Sequence, residues 1–109
     1  MDDKIKELQA RFSDLLNYAS DDPTSPIDPV TWRSPEGDTC LHYAAMRGDE
    51  DAIRMLIDLS VDPNAQGDMG NTALHYALQF GHDKAAQTLI DGGADRSLRN
   101  EFGKVPAAQ

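Results

Sequence analysis

At 109 residues, with nineteen acidic against ten basic side chains and a net charge of -9, the chain is long enough for one hydrophobic core and leaves no room for a second. Its charge repels nucleic acid and anionic membranes, so neither is expected as a partner. A composition 39% hydrophobic and 27% charged is that of a soluble globular protein, and no run approaches the roughly 20 apolar residues that cross a bilayer.

The first residues, MDDKIKELQARF, are charged where a secretory signal is apolar. Cys40 is the only cysteine, so an internal disulfide is impossible. Both features predict a reducing, cytoplasmic setting. Through Gly70 there are 15 acidic and 6 basic side chains, and from Asn71 onward 4 of each, so the net charge lies wholly in the first part. That imbalance favours encounter with a basic protein surface.

In residues 2–19, Ile5, Leu8, Phe12, Leu15, Leu16 and Ala19 recur at steps of three and four, which predicts an amphipathic helix. We assign residues 1–20 as an N-terminal cap on the apolar edge of the body formed by residues 36–109; the alternative is a free helix that recognises a partner. Residues 21–35 contain Pro23, Pro26, Pro29 and Pro35, which predict an extended connector. Trp32 either anchors a partner or fills the junction between the cap and that body.

From Asp38 the sequence repeats itself. Asp38-Thr39-Cys40-Leu41-His42-Tyr43-Ala44-Ala45 aligns with Asn71-Thr72-Ala73-Leu74-His75-Tyr76-Ala77-Leu78 at a shift of 33 residues. The register continues through Gly48 with Gly81, Leu56 with Leu89, Asp58 with Asp91, and Gly37 with Gly70 and Gly103. Thr39 and Thr72 stand where a hydroxyl caps a helix, Gly48 and Gly81 where that helix ends, and Asp49, Glu50 and Asp51 where acids open a second one. Leu41, Ala44, Ala45, Ile53, Leu56 and Ile57 supply the inward faces, as do Leu74, Ala77, Ala85, Ala86, Leu89 and Ile90 in the next unit.

The period of 33 and the T-x-L-H-x-A signature resemble the ankyrin-repeat family from about Trp32 onward. The resemblance implies an all-α solenoid of finger loops and antiparallel helix pairs. Residues 36–109 would then hold two full repeats and a truncated third, all within one domain. Cys40 and Ala73 replace the family's proline, and Ser60-Val61 replaces the Gly93-Ala94 of the following unit. The third unit opens at Gly103 but stops at Gln109, which predicts an incompletely covered face behind Leu89 and Ile90. A short terminal helix, a partner or a second copy would cover it.

Little in the chain suggests chemistry. His42 and His75 share one repeat position, and the resemblance implies that each imidazole joins neighbouring loops; with Thr39 and Thr72 they are structural. One cysteine and three scattered histidines make no zinc site, and the loop from Asp62 lacks a glutamate at its twelfth position, Ala73, so no metal or cofactor is expected. Cys40 opens a helix, which can lower a thiol pKa, but it has no base beside it. No phosphate-binding loop or hydrolase elbow is present, and no catalytic residue is assigned.

The resemblance places a protein partner on the finger tips and first-helix faces. The corresponding positions are Arg33, Glu36, Asp38, Met46 and Arg47 in the first unit and Gln66, Asp68, Met69, Asn71, Gln79 and Phe80 in the second. Arg99, Glu101, Phe102 and Lys104 belong to the third. Phe80 and Phe102 are alternatively packing residues. A binding module without an output domain acts by occluding or holding its partner. Small acidic ankyrin proteins resemble, among others, immunity proteins that cover a toxin's basic active site. The alternatives are an adaptor that bridges two proteins and a structural protein that self-associates through its C-terminal face.

Overall fold

The computed structural model describes residues 2–107; residues 108 and 109, with which the third unit ends, lie outside the described residues. Among the described residues there are five α-helices: α1 (Asp2–Arg11), α2 (Cys40–Arg47), α3 (Glu50–Asp58), α4 (Ala73–Gln79) and α5 (Asp83–Asp91). A short 3-10 turn, Asp68–Gly70, lies at the tip of the second finger, and among the described residues there is no strand.

Each repeat folds from local signals. Thr39, with extended φ and ψ of -93° and 173°, accepts from the His42 amide and starts α2; Thr72 does the same for α4. The Asp49 carboxylate accepts from Ala52 N at 3.1 Å and starts α3. Gly48 ends α2 at φ 68°, and a Cβ there would also lie 2.7 Å from the His82 ring. Both the dihedral and the neighbour demand glycine.

The two units stack with α2 beside α4 and α3 beside α5, which makes two helical layers. Leu41, Ala44, Ala45, Ile53 and Leu56 are buried between them with Leu74, Ala77, Ala85, Ala86 and Leu89. Alanine at so many inward positions lets the axes approach closely.

At the N-terminal end the structure corrects the expected extent of the helix. α1 stops at Arg11 rather than continuing to Ala19. Leu8 and Phe12 are buried in the core, whereas Leu16 is 47% exposed and Ala19 is exposed. The Leu16 carbonyl accepts from the Trp32 indole N–H at 2.8 Å instead of from a helical amide, and Asn17 bonds to Pro23, Ser25 and Pro26. These long-range bonds turn the chain where periodicity alone would continue it. Trp32 is itself buried, stacked on Tyr18 at 6.4 Å and edge-on to Tyr43 at 5.6 Å, so it fills the junction.

At the C-terminal end the third finger forms, with Asn100 N donating to Lys104 O at 2.9 Å. Residues 104–107 are not helical. Leu89 and Pro106 are buried and Ile90 is half-buried.

Ser60 closes the first repeat at φ 67°, where its counterpart Gly93 has φ 106°. A side chain in the left-handed region is disfavoured by about 1 to 2 kcal/mol, and glycine's extra unfolded-state entropy offsets part of that. Ser60→Gly is therefore expected to stabilise the protein by about 0.5 to 1 kcal/mol. Urea denaturation checks this; a lower midpoint would show that the Ser60 side chain contributes more than its backbone strain removes.

Candidate protein-binding face

Each of the three fingers is braced from within by a donor at one repeat position, 33 residues apart. Arg33 Nη1 donates to Gly37 O at 2.7 Å, Gln66 Nε2 to Gly70 O at 3.0 Å, and Arg99 Nη1 to Gly103 O at 2.6 Å. All three were candidates for partner contact, and the structure gives each an intramolecular partner. The equal spacing of a donor four residues before each finger glycine was the available signal.

A second set of bonds joins finger to finger. His42 Nε2 meets Asn71 O and His75 Nε2 meets Lys104 O, each at 2.9 Å. The Glu101 amide donates to Met69 O at 2.9 Å, and Asn100 Nδ2 to Asn71 Oδ1 at 3.0 Å. On the helix side His82 Nε2 lies 2.9 Å from Met46 O.

The histidine geometry defines its tautomer. His42 Nδ1 accepts from the Thr39 backbone N–H at 3.0 Å, a fixed donor, so the proton sits on Nε2 and is donated to the Asn71 carbonyl. Burial pushes the His42 pKa below 6.5, outweighing the Asn71 bond and the nearby Asp38. The unfolded chain therefore binds a proton as pH falls through 6.5 while the folded chain resists it. This contribution to stability is complete above pH 6.5 and declines below it, towards the lower folded-state value. Melting between about pH 7.5 and 5, above the main carboxylate range, is expected to show a falling midpoint. A level midpoint, or a His42 imidazole that titrates by NMR at or above its ordinary value, would contradict it.

One candidate departs from the expected exposure, and another is exposed but engaged within the chain. Asp38 is buried: its Oδ1 accepts from Tyr76 Oη at 3.1 Å and from Asp68 N at 2.9 Å. Burial, and then the Asp38 charge, raise the Tyr76 hydroxyl pKa, which keeps it a donor. Arg47 is engaged by the N-terminal segment, donating to Asp14 Oδ2 at 2.6 Å and Arg11 O at 3.1 Å, with its guanidinium 5.3 Å from the Phe12 ring centre. Both side chains find partners distant in sequence, which local patterning does not reveal. Tyr76 and Asn100, neither of them a candidate from sequence, are central to the same network. Met46 and Asn71 are half-buried.

Three apolar candidates stand outward, and Arg33, Arg47, Gln66 and Arg99 are exposed as well. Met69 is 50% exposed, Phe80 55% and Phe102 65%. Met69 and Phe102 occupy the same repeat position, and Phe80 stacks on Tyr76 at 6.4 Å. The Tyr76 hydroxyl reaches Asp38 at the finger base, which links the Phe80 end of α4 to the fingers through buried side chains. Met69 sits at φ 57°, its carbonyl held by Glu101 N, which fixes the tip. Glu36, Gln79 and Glu101 are exposed beside these anchors, and Asp68 is half-buried.

The Cys40 thiol is buried and desolvation pushes its pKa up to about 12, overriding the lowering expected at a helix start. Among the described residues no three or more His, Cys, Asp or Glu side chains are grouped to hold a metal, and no helix is long and apolar enough to cross a membrane.

Stacked helix pairs, braced fingers and apolar tips define a protein–protein interaction module of the helical-repeat class. The description of three tandem ankyrin repeats matches residues 10–100, and the chain belongs to the ankyrin-repeat family. No curated protein matches the chain. Ankyrin repeats are in general non-catalytic binding modules, and the family implies a protein partner.

Proposed function

We propose that this protein binds one protein partner through the face carrying Met69, Phe80 and Phe102, and that it acts without chemistry of its own, by covering a basic functional surface of that partner. One observation carries the reading: Met69 and Phe102 stand half or more exposed on fingers whose backbones are bonded to each other, and Phe80, exposed to a similar degree, stands at the end of α4. Rigid, exposed apolar anchors concentrate binding energy because little conformational freedom remains to be lost on association. Glu36, Asp68 and Glu101 surround them and select for positive charge. In its most specific form this is a cytoplasmic inhibitor of the toxin-immunity type.

Capture of the partner by pull-down and mass spectrometry, followed by binding kinetics across ionic strengths, tests the proposal. Association is expected to slow as salt rises, with Glu36→Lys lowering the on-rate. Phe80→Ala is expected to raise the off-rate, weakening affinity by about 2 kcal/mol. A salt-independent on-rate, or binding that survives both changes, would place the interface elsewhere. Self-association through the C-terminal face, where Val105 is 39% exposed, would instead show as a dimeric mass in solution.

A further inference from the structure

Glu36, Met69 and Phe102 occupy one repeat position, at the tips of the three fingers. Their backbones differ. Met69 lies in the left-handed region at φ 57° and ψ 24°, and among the described residues Ser60 is the only other non-glycine residue with a positive φ. A Cβ is disfavoured there, and glycine or asparagine occupies the region at least cost.

The second finger holds this conformation through its backbone atoms. Asp38 Oδ1 accepts from Asp68 N at 2.9 Å from the first finger, and Glu101 N donates to Met69 O at 2.9 Å from the third. His42 Nε2 donates to Asn71 O at 2.9 Å, and Gly67 N donates to the same carbonyl at 2.8 Å. None of these bonds uses the Met69 side chain, so they hold the tip whichever side chain stands there. That side chain is also 50% exposed and lies outside the hydrophobic core. A methionine thus occupies a position where it strains the backbone and adds little to packing. Strain of this kind persists where the surroundings over-determine the conformation, and it collects at ligand-binding positions. Methionine is unbranched, with three rotatable bonds and a polarisable thioether, so it adapts to an irregular apolar pocket. Here the adaptable side chain starts from a backbone fixed on both sides, which limits the freedom lost when it is enclosed.

We propose that Met69 is the specificity-determining residue of the binding face: the partner presents an apolar pocket to the second finger tip, and the Met69 side chain fills it. Asp38 and the third finger are positioning elements that hold the strained backbone from either side. The inference rests on the reading that the face of Met69, Phe80 and Phe102 binds a protein.

Two measurements on the full chain test it. In urea denaturation of the free protein, Met69→Asn and Ser60→Gly are each expected to raise the midpoint, since both relieve left-handed strain. The probe for binding is the protein recovered in the pull-down, purified and titrated against each variant. Met69→Asn is expected to weaken its affinity about thirtyfold. Met69→Leu keeps an apolar side chain on the same backbone and is expected to stay within about threefold, and Ser60→Gly to bind unchanged. A lower urea midpoint for Met69→Asn would overturn the proposal, because the side chain would then serve the fold. So would unchanged binding of Met69→Asn beside weakened binding of Phe80→Ala or Phe102→Ala, a result that leaves the face itself standing. Affinity unchanged in all three would remove the face and this inference with it.

Discussion

Deletion of residues 1 to 20 is expected to abolish stable monomeric folding. The segment supplies Leu8 and Phe12, each 1% exposed or less, and α1 packs directly on α3. Arg11 clamps the Asp49 carboxylate at 2.7 and 2.9 Å, the same group that caps α3. Losing one buried phenylalanine alone typically costs about 3 to 5 kcal/mol, against a total stability of about 5 to 15 kcal/mol for a domain. Removal of the whole segment therefore consumes most of the margin and leaves apolar surface of α3 in water. Circular dichroism on heating, with sedimentation velocity, reads the loss; Phe12→Ala is the milder form. A shortened chain that stays monomeric and melts unchanged would mean that the N-terminal segment is a recognition element and not a cap.

Gly67→Ala is expected to destabilise the protein by about 3 kcal/mol, the upper end of what overpacking costs. A Cβ at Gly67 would overlap Asp38 Oδ1 and lie 3.0 Å from His42 Nε2. The counterparts of this glycine are Ser34 and Asn100, each of which accepts from backbone amides of its own finger: Ser34 Oγ from Asp38 N, and Asn100 Oδ1 from Phe102 N and Lys104 N. The second finger lacks such a side chain, and Asp38 reaches across from the first finger to accept from Asp68 N in its place. Space at Gly67 and the carboxylate at Asp38 are thus two halves of one arrangement. Asp38→Ala removes the obstructing group, so the double variant is expected to lose less than the two single changes together. Additive losses in urea denaturation would mean that the clash is relieved by other means and that the two positions are independent.

Several of these features were legible before any coordinates. The 33-residue period, the Thr39 and Thr72 caps and the glycines at positions 48 and 81 report bonds that close within one helical turn, so they are written in neighbouring residues. The finger glycines at positions 37, 70 and 103 report dihedrals, which are equally local. The exposure expected of Met69 is observed, and Phe80 and Phe102, for which packing was the alternative, are exposed as well.

The sequence by itself determined the helix pairs and their stacking, because a side chain that recurs every 33 residues meets the same neighbour each time. Only the tertiary structure decided which polar residues face solvent. Asp38 finds Tyr76 across 38 residues and is buried where hydropathy treats it as surface, while Arg47 stays exposed yet is held by Asp14 across 33. The end of α1 was decided in the same way, by the Trp32 indole taking the Leu16 carbonyl across 16 residues. A polar group satisfied by a distant partner leaves no periodic trace, whereas an apolar group buried in a repeat leaves one in every copy. Hence the core was readable from the chain alone, and the outline of the binding face emerged only when the fingers were seen bonded to one another.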